Sequence, residues 1–315
     1  MRRIALAKLQ RASLDYSKNQ RTLPEKREDC GNEVESQLIP TVHLDCDCIL
    51  CHVLDTSRSW ILSHPDSVLE DTKVRLFMDK IDLRCTGFPV AYIVGKKEFY
   101  GRDFFVSPAV LIPKPDTETL VERGMEIILE ELQAKNDLRL VDLCTGSGCV
   151  GISVWKELES RHTMERMRFF ATDISSDALE VAKKNCHHHG CSIEFILCDL
   201  LESDSLRDLD GIISNPPYVP AEVSKRLLED GRSEPLLALD GDCDGSRDGT
   251  GLISRLLPQA FSAVKKGGFV LLETGEYNAE TTASMMEKIG FADVQIHSDL
   301  SGMPRVVEGW KTGEL

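Results

Sequence analysis

Apolar residues recur at helical spacing over 4–17, 43–55 and 65–84, the last after His64-Pro65, which predicts a small helical domain over residues 1–86. Between the first two helices, 21–37 is dense in charge and poor in large apolar groups, as a loop is. Residues 87–112 change character: β-branched and aromatic types punctuated by Gly95 and Gly101 predict a β-hairpin linker. A helical pattern over 120–132 follows, with Asp116 or Thr117 as its N-cap and Glu118 near its positive end. Farther on, short apolar runs end at Leu143, Thr172, Leu197 and Ile213, and the first is joined by a tight turn to a helix over 150–158. This alternation predicts an α/β domain over 113–315.

Open α/β sheets bind ligands at the carboxyl ends of their strands, so the residues that end each run are the candidates for chemistry. The first run passes into Cys144-Thr145-Gly146-Ser147-Gly148, whose glycines let backbone approach a ligand at a helix start. Neither the third glycine of a dinucleotide fingerprint nor the lysine of a phosphate-binding loop follows. The second run ends in Asp173, placed to accept from ribose hydroxyls, and the third in Cys198-Asp199-Leu200, where Asp199 is an acceptor for an adenine amino group.

The fourth run passes into Ser214-Asn215-Pro216-Pro217-Tyr218. Proline fixes φ and holds the residue before it extended, so this turn is stiff. The Asn215 side-chain oxygen and the Pro216 carbonyl then offer two acceptors beside the Tyr218 ring, matching the two donors of a planar –NH2 group. The nitrogen's third direction stays open to an electrophile. A Pro-Pro-Tyr turn alone is more often the plain end of a strand; the ordered set of four strand ends is what specifies a site.

Charge narrows the partners. With 37 basic against 52 acidic residues and a net −15, the chain is a poor candidate for direct nucleic-acid binding, which rests on Lys and Arg neutralising phosphates. The acidic balance serves solubility first and attraction to a basic protein second. Eleven cysteines, odd in number and scattered, suit reduced thiols and a cytoplasmic location. Organellar import is the second reading, because residues 1–14 carry four basic and no acidic side chains on a helical pattern. No apolar run reaches membrane-spanning length.

Three clusters invite a metal and fail on spacing. Cys46, Cys48, Cys51 and His52, with His43 before them, lack a second ligand pair, and Cys48 and Cys51 read as core fillers. His187-His188-His189 reads as a solvated helix end. The acidic loop from Asp240 has Gly251 where a calcium loop needs a bidentate carboxylate. No metal is expected. The long stretch 219–251 has the length of a lid or binding loop.

The ordered strand-end set resembles the S-adenosylmethionine-dependent amino-methyltransferases. With Pro113-Lys-Pro-Asp-Thr-Glu118, Asp142-Leu-Cys-Thr-Gly-Ser-Gly148, Asn215-Pro-Pro-Tyr218, Glu234-Pro-Leu-Leu-Ala-Leu-Asp240 and Gly267-Gly-Phe-Val-Leu-Leu-Glu-Thr-Gly275, the chain resembles the release-factor glutamine methyltransferases, the PrmC/HemK family. The resemblance implies a doubly wound, seven-stranded methyltransferase sheet behind an N-terminal helical domain and a hairpin linker. It implies S-adenosyl-L-methionine as cofactor. It also implies methylation of the side-chain N5 of the glutamine in the Gly-Gly-Gln (GGQ) motif of bacterial-type peptide chain release factors, by a monomer.

Carried over residue by residue, Asn215, Pro216 and Tyr218 are catalytic and, with Pro217, hold the glutamine amide. Cys144, Thr145, Gly146, Ser147 and Gly148 contact the methionine part of the cofactor, Asp173 its ribose, Asp199 and Leu200 its adenine, with Asn215 beside the methyl group. Three positions depart from the family pattern: Cys144 stands for a glycine, Lys114 for an arginine, and Leu200 for a frequent aromatic. A ribosomal-protein glutamine, or the amino group of adenine or cytosine, are the alternative substrates, and a catalytically silent cofactor-binding scaffold the alternative of another class.

Overall fold

The computed structural model describes residues 1–20, 41–161, 163–229, 234–242 and 245–312. The expected loop 21–37 lies outside them, as do Cys243 and Asp244 of the acidic loop. The chain forms two compact units, 1–95 with 226–233 and 96–225 with 234–315.

The first unit contains α1 (Arg2–Gln20), α2 (Val42–Leu54), α3 (Arg58–Ser63), α4 (Asp71–Cys85) and α5 (Val90–Val94). Leu9, Ile49, Phe77 and Ile81 meet in its core. Cys46 is fully buried there, with Cys51 against it, while Cys48 is half-buried. The core filler of that cluster is therefore Cys46 rather than Cys48. The helix expected over 65–84 begins only at Asp71, as α4, and a short α3 that was not expected precedes it over Arg58–Ser63. Pro65 pushes His64 out of the helical region, and helix resumes only at Asp71.

Val90–Val94, expected within the hairpin, is instead one helical turn. Pro89 presets its entry and Gly95, at φ 76, stops it. It packs on α2 and α4, so the helical unit runs to Gly95, nine residues past the boundary the sequence suggested at 86.

The second unit opens with a hairpin, β1 (Lys96–Phe99) and β2 (Arg102–Phe105), paired antiparallel. Its two turn residues, Tyr100 and Gly101, have φ of 50 and 70, the positive pair that a two-residue hairpin turn requires. Then follow α6 (Glu118–Ala134), β3 (Leu138–Leu143), α7 (Cys149–Glu159), β4 (Met167–Asp173), α8 (Ser176–His189), β5 (Glu194–Leu197), β6 (Leu209–Ser214) and α9 (Ala221–Glu229). The chain continues through α10 (Gly251–Ala263), β7 (Val264–Glu273), α11 (Ala279–Ile289), β8 (Ala292–Ser298) and β9 (Pro304–Trp310).

The sheet has seven strands in the order β5-β4-β3-β6-β7-β9-β8. The first five are parallel, and β9 runs antiparallel between β7 and β8. This is the doubly wound methyltransferase sheet that the sequence suggested. Apolar side chains of α6 and α7 cover one face, those of α10 and α11 the other, which is why β3 and β6 read as continuous apolar runs.

The histidine run lies at the end of α8, where His187 and His188 are exposed, as expected of a solvated helix end. His189 is half-buried: its Nε2 lies 3.0 Å from the Asp103 carbonyl and its ring is tilted against Phe104, while the His188 ring packs edge-on against Phe105, so the run also ties α8 to the hairpin.

Candidate active site

The chain leaves β3 toward β4 and β5, then returns to lay β6 on β3's other side, so the loops after β3 and β6 part company. Ser214 Oγ donates to the Leu143 carbonyl at 2.6 Å and holds the two strand ends together just below that divergence. Above it lies a cavity of about 270 Å³. Cys144, Thr145, Gly146, Ser147, Asp173, Asp199, Leu200, Asn215 and Pro217 all line it. Gly148, Pro216 and Tyr218 do not: Gly148 caps α7 at φ 79, Pro216 is buried in its turn, and Tyr218 sits off the cavity wall.

The loop after β3 is held from three sides. Asp142 is buried and accepts from the Thr145 hydroxyl (2.6 Å) and the Gly151 amide (2.9 Å). Burial lifts its carboxyl to about 7 against those two bonds. Asp173 accepts from the Gly146 amide and the Ser175 amide, both at 2.9 Å, and burial raises its pKa despite them. Asn185 is the third hold and was not foreseen. Fully buried, it donates to the carbonyls of Ser147 (2.8 Å) and Phe105 (2.9 Å) and accepts from the Phe105 amide (2.7 Å).

Cys144 adopts φ 58, a conformation costly for any residue with a β-carbon. Burial pushes its thiol pKa up, so the thiol stays neutral. At Gly146 (φ 54) a β-carbon meets nothing within 4 Å, so this backbone faces open cavity. Open backbone, with two carboxylates and the Asn215 amide on the same wall, fits a ligand bearing hydroxyl and amino donors, as S-adenosylmethionine does. Both carboxylates already have protein partners: Asp173 the Gly146 and Ser175 amides, and Asp199 the Arg255 guanidinium at 2.8 Å.

The Asn-Pro-Pro-Tyr turn is braced from behind. The Tyr218 carbonyl accepts from Asn278 Nδ2 (3.1 Å) and the Tyr277 hydroxyl (3.2 Å), while its phenol donates to Glu273 Oε1 (2.9 Å). Gly249, at φ 78, allows the acidic loop to press on the same backbone: a β-carbon there falls 2.0 Å from the Tyr218 carbonyl oxygen. Asp242 draws that loop closed by accepting from the amides of Ala221 (2.8 Å) and Gly249 (2.7 Å). The motif that resembled a calcium loop is thus internally bonded through its carboxylate, and among the described residues no acidic, His or Cys group is arranged to hold a metal.

Asn215 Nδ2 donates to the Thr117 hydroxyl at 3.2 Å, which turns Oδ1 the other way. Thr117 stands at the N-cap of α6 but makes no side-chain capping bond, because its hydroxyl is committed to Asn215. The segment 234–240 completes the wall with Pro235, Leu237, Ala238 and Asp240. It is anchored by Glu234, which accepts from the Ile112 amide (3.1 Å) and from Lys114 Nζ (2.8 and 3.0 Å).

Residues 30–95 match the PrmC N-terminal domain and 117–233 the methyltransferase small domain. The chain is 35% identical over 294 residues to a release factor glutamine methyltransferase of Koribacter versatilis, covering 92% of this chain and 99% of that one. The chain belongs to the release factor glutamine methyltransferase family. The family member of Clostridium acetobutylicum is 32% identical over 84% of this chain and 89% of its own. A ribosomal protein L11 methylase from Lactobacillus delbrueckii superposes with a TM-score of 0.45 at 18% identity, over 66% of this chain and 84% of that one. Among the described residues no helix is long and apolar enough to cross a membrane.

Members of this family use S-adenosylmethionine, and the open backbone, carboxylates and amide that line the cavity above β3 and β6 fit it.

Proposed function

We propose that this protein transfers a methyl group from S-adenosyl-L-methionine to the side-chain nitrogen of the glutamine in the Gly-Gly-Gln motif of a peptide chain release factor. The observation that carries the reading is the Asn215 amide: its Nδ2 is tied to Thr117, which leaves its oxygen free to accept, and it lines the same cavity as the glycine loop. With the Pro216 carbonyl, the second acceptor expected from the sequence although Pro216 does not line the cavity as it stands, it would accept both hydrogens of a carboxamide –NH2.

A carboxamide nitrogen is a poor nucleophile because its lone pair is delocalised. Two fixed acceptors localise it, and they stabilise the positive charge that grows on nitrogen as the bond forms. The cofactor supplies an electrophilic methyl group on sulfonium sulfur. This chain supplies position: Gly146 and its neighbours fix one reactant, Asn215 and Pro216 the other, and the stiff turn keeps the two in line. The nitrogen–carbon bond forms as the sulfur–carbon bond breaks, and the nitrogen then sheds a proton to water. The role proposed for Tyr218 is to set the turn through Glu273.

Incubating the protein with methyl-labelled cofactor and a release factor, beside the same factor with its Gly-Gly-Gln glutamine replaced, tests the reading. Label on the first alone supports it. Label on both, or on neither while cofactor binds, sinks it and turns attention to ribosomal-protein glutamines.

A further inference from the structure

Behind the Asn215 clamp lies a carboxylate to which the methyl transfer as described gives only the Tyr218 phenol to hold. Glu273 ends β7 and is 1% exposed. Its Oε1 accepts the Tyr218 phenol, while Oε2 is buried with no hydrogen-bond partner. Thr117, 2% exposed, faces this carboxylate and favours its charged form, and Thr117 is the residue that receives Asn215 Nδ2.

We propose that Glu273 is a positioning residue for methyl transfer: ionised, it takes the Thr117 proton, so that the Thr117 lone pair takes Asn215 Nδ2 and the Asn215 oxygen is presented to the substrate amide. This rests on the function proposed above. A threonine hydroxyl has one proton to give and lone pairs to accept with. Charged Glu273 can only accept, which fixes the direction of both bonds. Protonated Glu273 has a donor on the oxygen that now lacks a partner, and giving it to Thr117 turns the Thr117 proton toward Asn215. The Asn215 amide is then steadied in the flipped sense, with –NH2 facing –NH2 of the substrate.

The groups facing Glu273 are Tyr218 by hydrogen bond, the Thr117 hydroxyl, which favours its charged form, Arg305 of β9 and Asp116 by charge, and Cys149 at the start of α7. Arg305 favours the ionised form but divides its own charge between Asp299 (3.1 Å) and Asp116 (3.3 Å). Burial outweighs these and lifts the carboxyl to about 7. Since the ionised form is the productive one, transfer rises as pH climbs through that value.

The test is single-turnover transfer to a release factor at saturating cofactor, measured on both sides of neutrality. The wild-type rate is expected to fall about tenfold for each pH unit below the midpoint. E273Q should be slow and flat across the same range with unchanged cofactor affinity; T117V should be equally slow, and T117S should restore the rate. Infrared difference spectra provide a readout free of activity: wild type should lose a protonated-carboxyl band near neutrality that E273Q lacks. An E273Q protein with wild-type rate and slope, a T117S no faster than T117V, or the absence of that band overturns the positioning role alone. A wild type that methylates no release factor overturns the functional reading and this role with it.

Discussion

Asn215 shows how far one side chain reads from sequence. On the proposed function Asn215→Ala removes the acceptor assigned to the glutamine nitrogen and touches little of the cofactor loop, so transfer should drop about a hundredfold or more while cofactor titration stays within error. Asp173→Ala should divide the other way. It strips the bonds to Gly146 and Ser175 along with any ribose contact, and calorimetry should show cofactor affinity down about tenfold or more. Cys144→Gly relieves a left-handed backbone and should raise stability by up to about 1 kcal/mol, with cofactor affinity held or improved. A tighter fold with lost affinity would mean the thiol itself touches the ligand. The stiff turn that carries Asn215 was legible because proline writes its backbone geometry into the sequence. Thr117, Asn185 and Glu273 were not, since their partners lie 98, 80 and 38, and 55 residues away. A signal for Glu273 did exist: it closes an apolar run by the same strand-end rule that picked out Asp173.

Elements repeat the lesson one level up. The parallel strands β3, β4 and β6 announced themselves because both faces are covered and the runs are largely apolar, broken by single charged residues such as Arg139, Asp142 and Asp210. Their packing is tight enough to fix single positions: Gly211 of β6 pairs with Phe269 of β7, and a β-carbon on Gly211 falls 2.2 Å from the Phe269 ring. Gly211→Ala should therefore cost about 2 kcal/mol, read as a lower denaturant midpoint with unchanged slope. Unchanged stability would mean that Phe269 has room to turn inside β7. The short apolar stretch at Val90–Val94 misled because five residues cannot reveal a period, and Pro89 and Gly95 decided for a helical turn. Strand order was equally hidden: nothing in chain sequence says that the last strand, β9, inserts between β7 and β8. That depends on what each face buries.

At the scale of the whole molecule, carboxylates of opposite behaviour shape stability against pH. Glu308 accepts from Arg123 (2.7 and 3.1 Å), Trp310 (2.7 Å) and His297 (2.8 Å) inside β9. Those bonds overcome burial and hold its pKa at about 2, against an ordinary 4.5. A depressed carboxyl stabilises the fold above its ordinary value and loses that stability as pH falls through the folded one; here the loss is roughly 3 kcal/mol between about 4.5 and about 2. Asp142 and Glu273 do the reverse. Burial raises both to about 7, so their contribution is complete below their ordinary values and drains away as pH rises through neutrality. Stability from these groups should peak near pH 4–5 and decline on both sides, the alkaline decline ending just above about 7. Urea midpoints measured against pH should show that asymmetry. Glu308→Gln should lower stability at neutral pH and flatten the acid limb, while Asp142→Asn should leave the acid limb alone and flatten the decline toward neutrality. An acid limb that Glu308→Gln does not change would assign it to the net positive charge that builds up below the isoelectric point near 5.0, not to the buried cluster in β9.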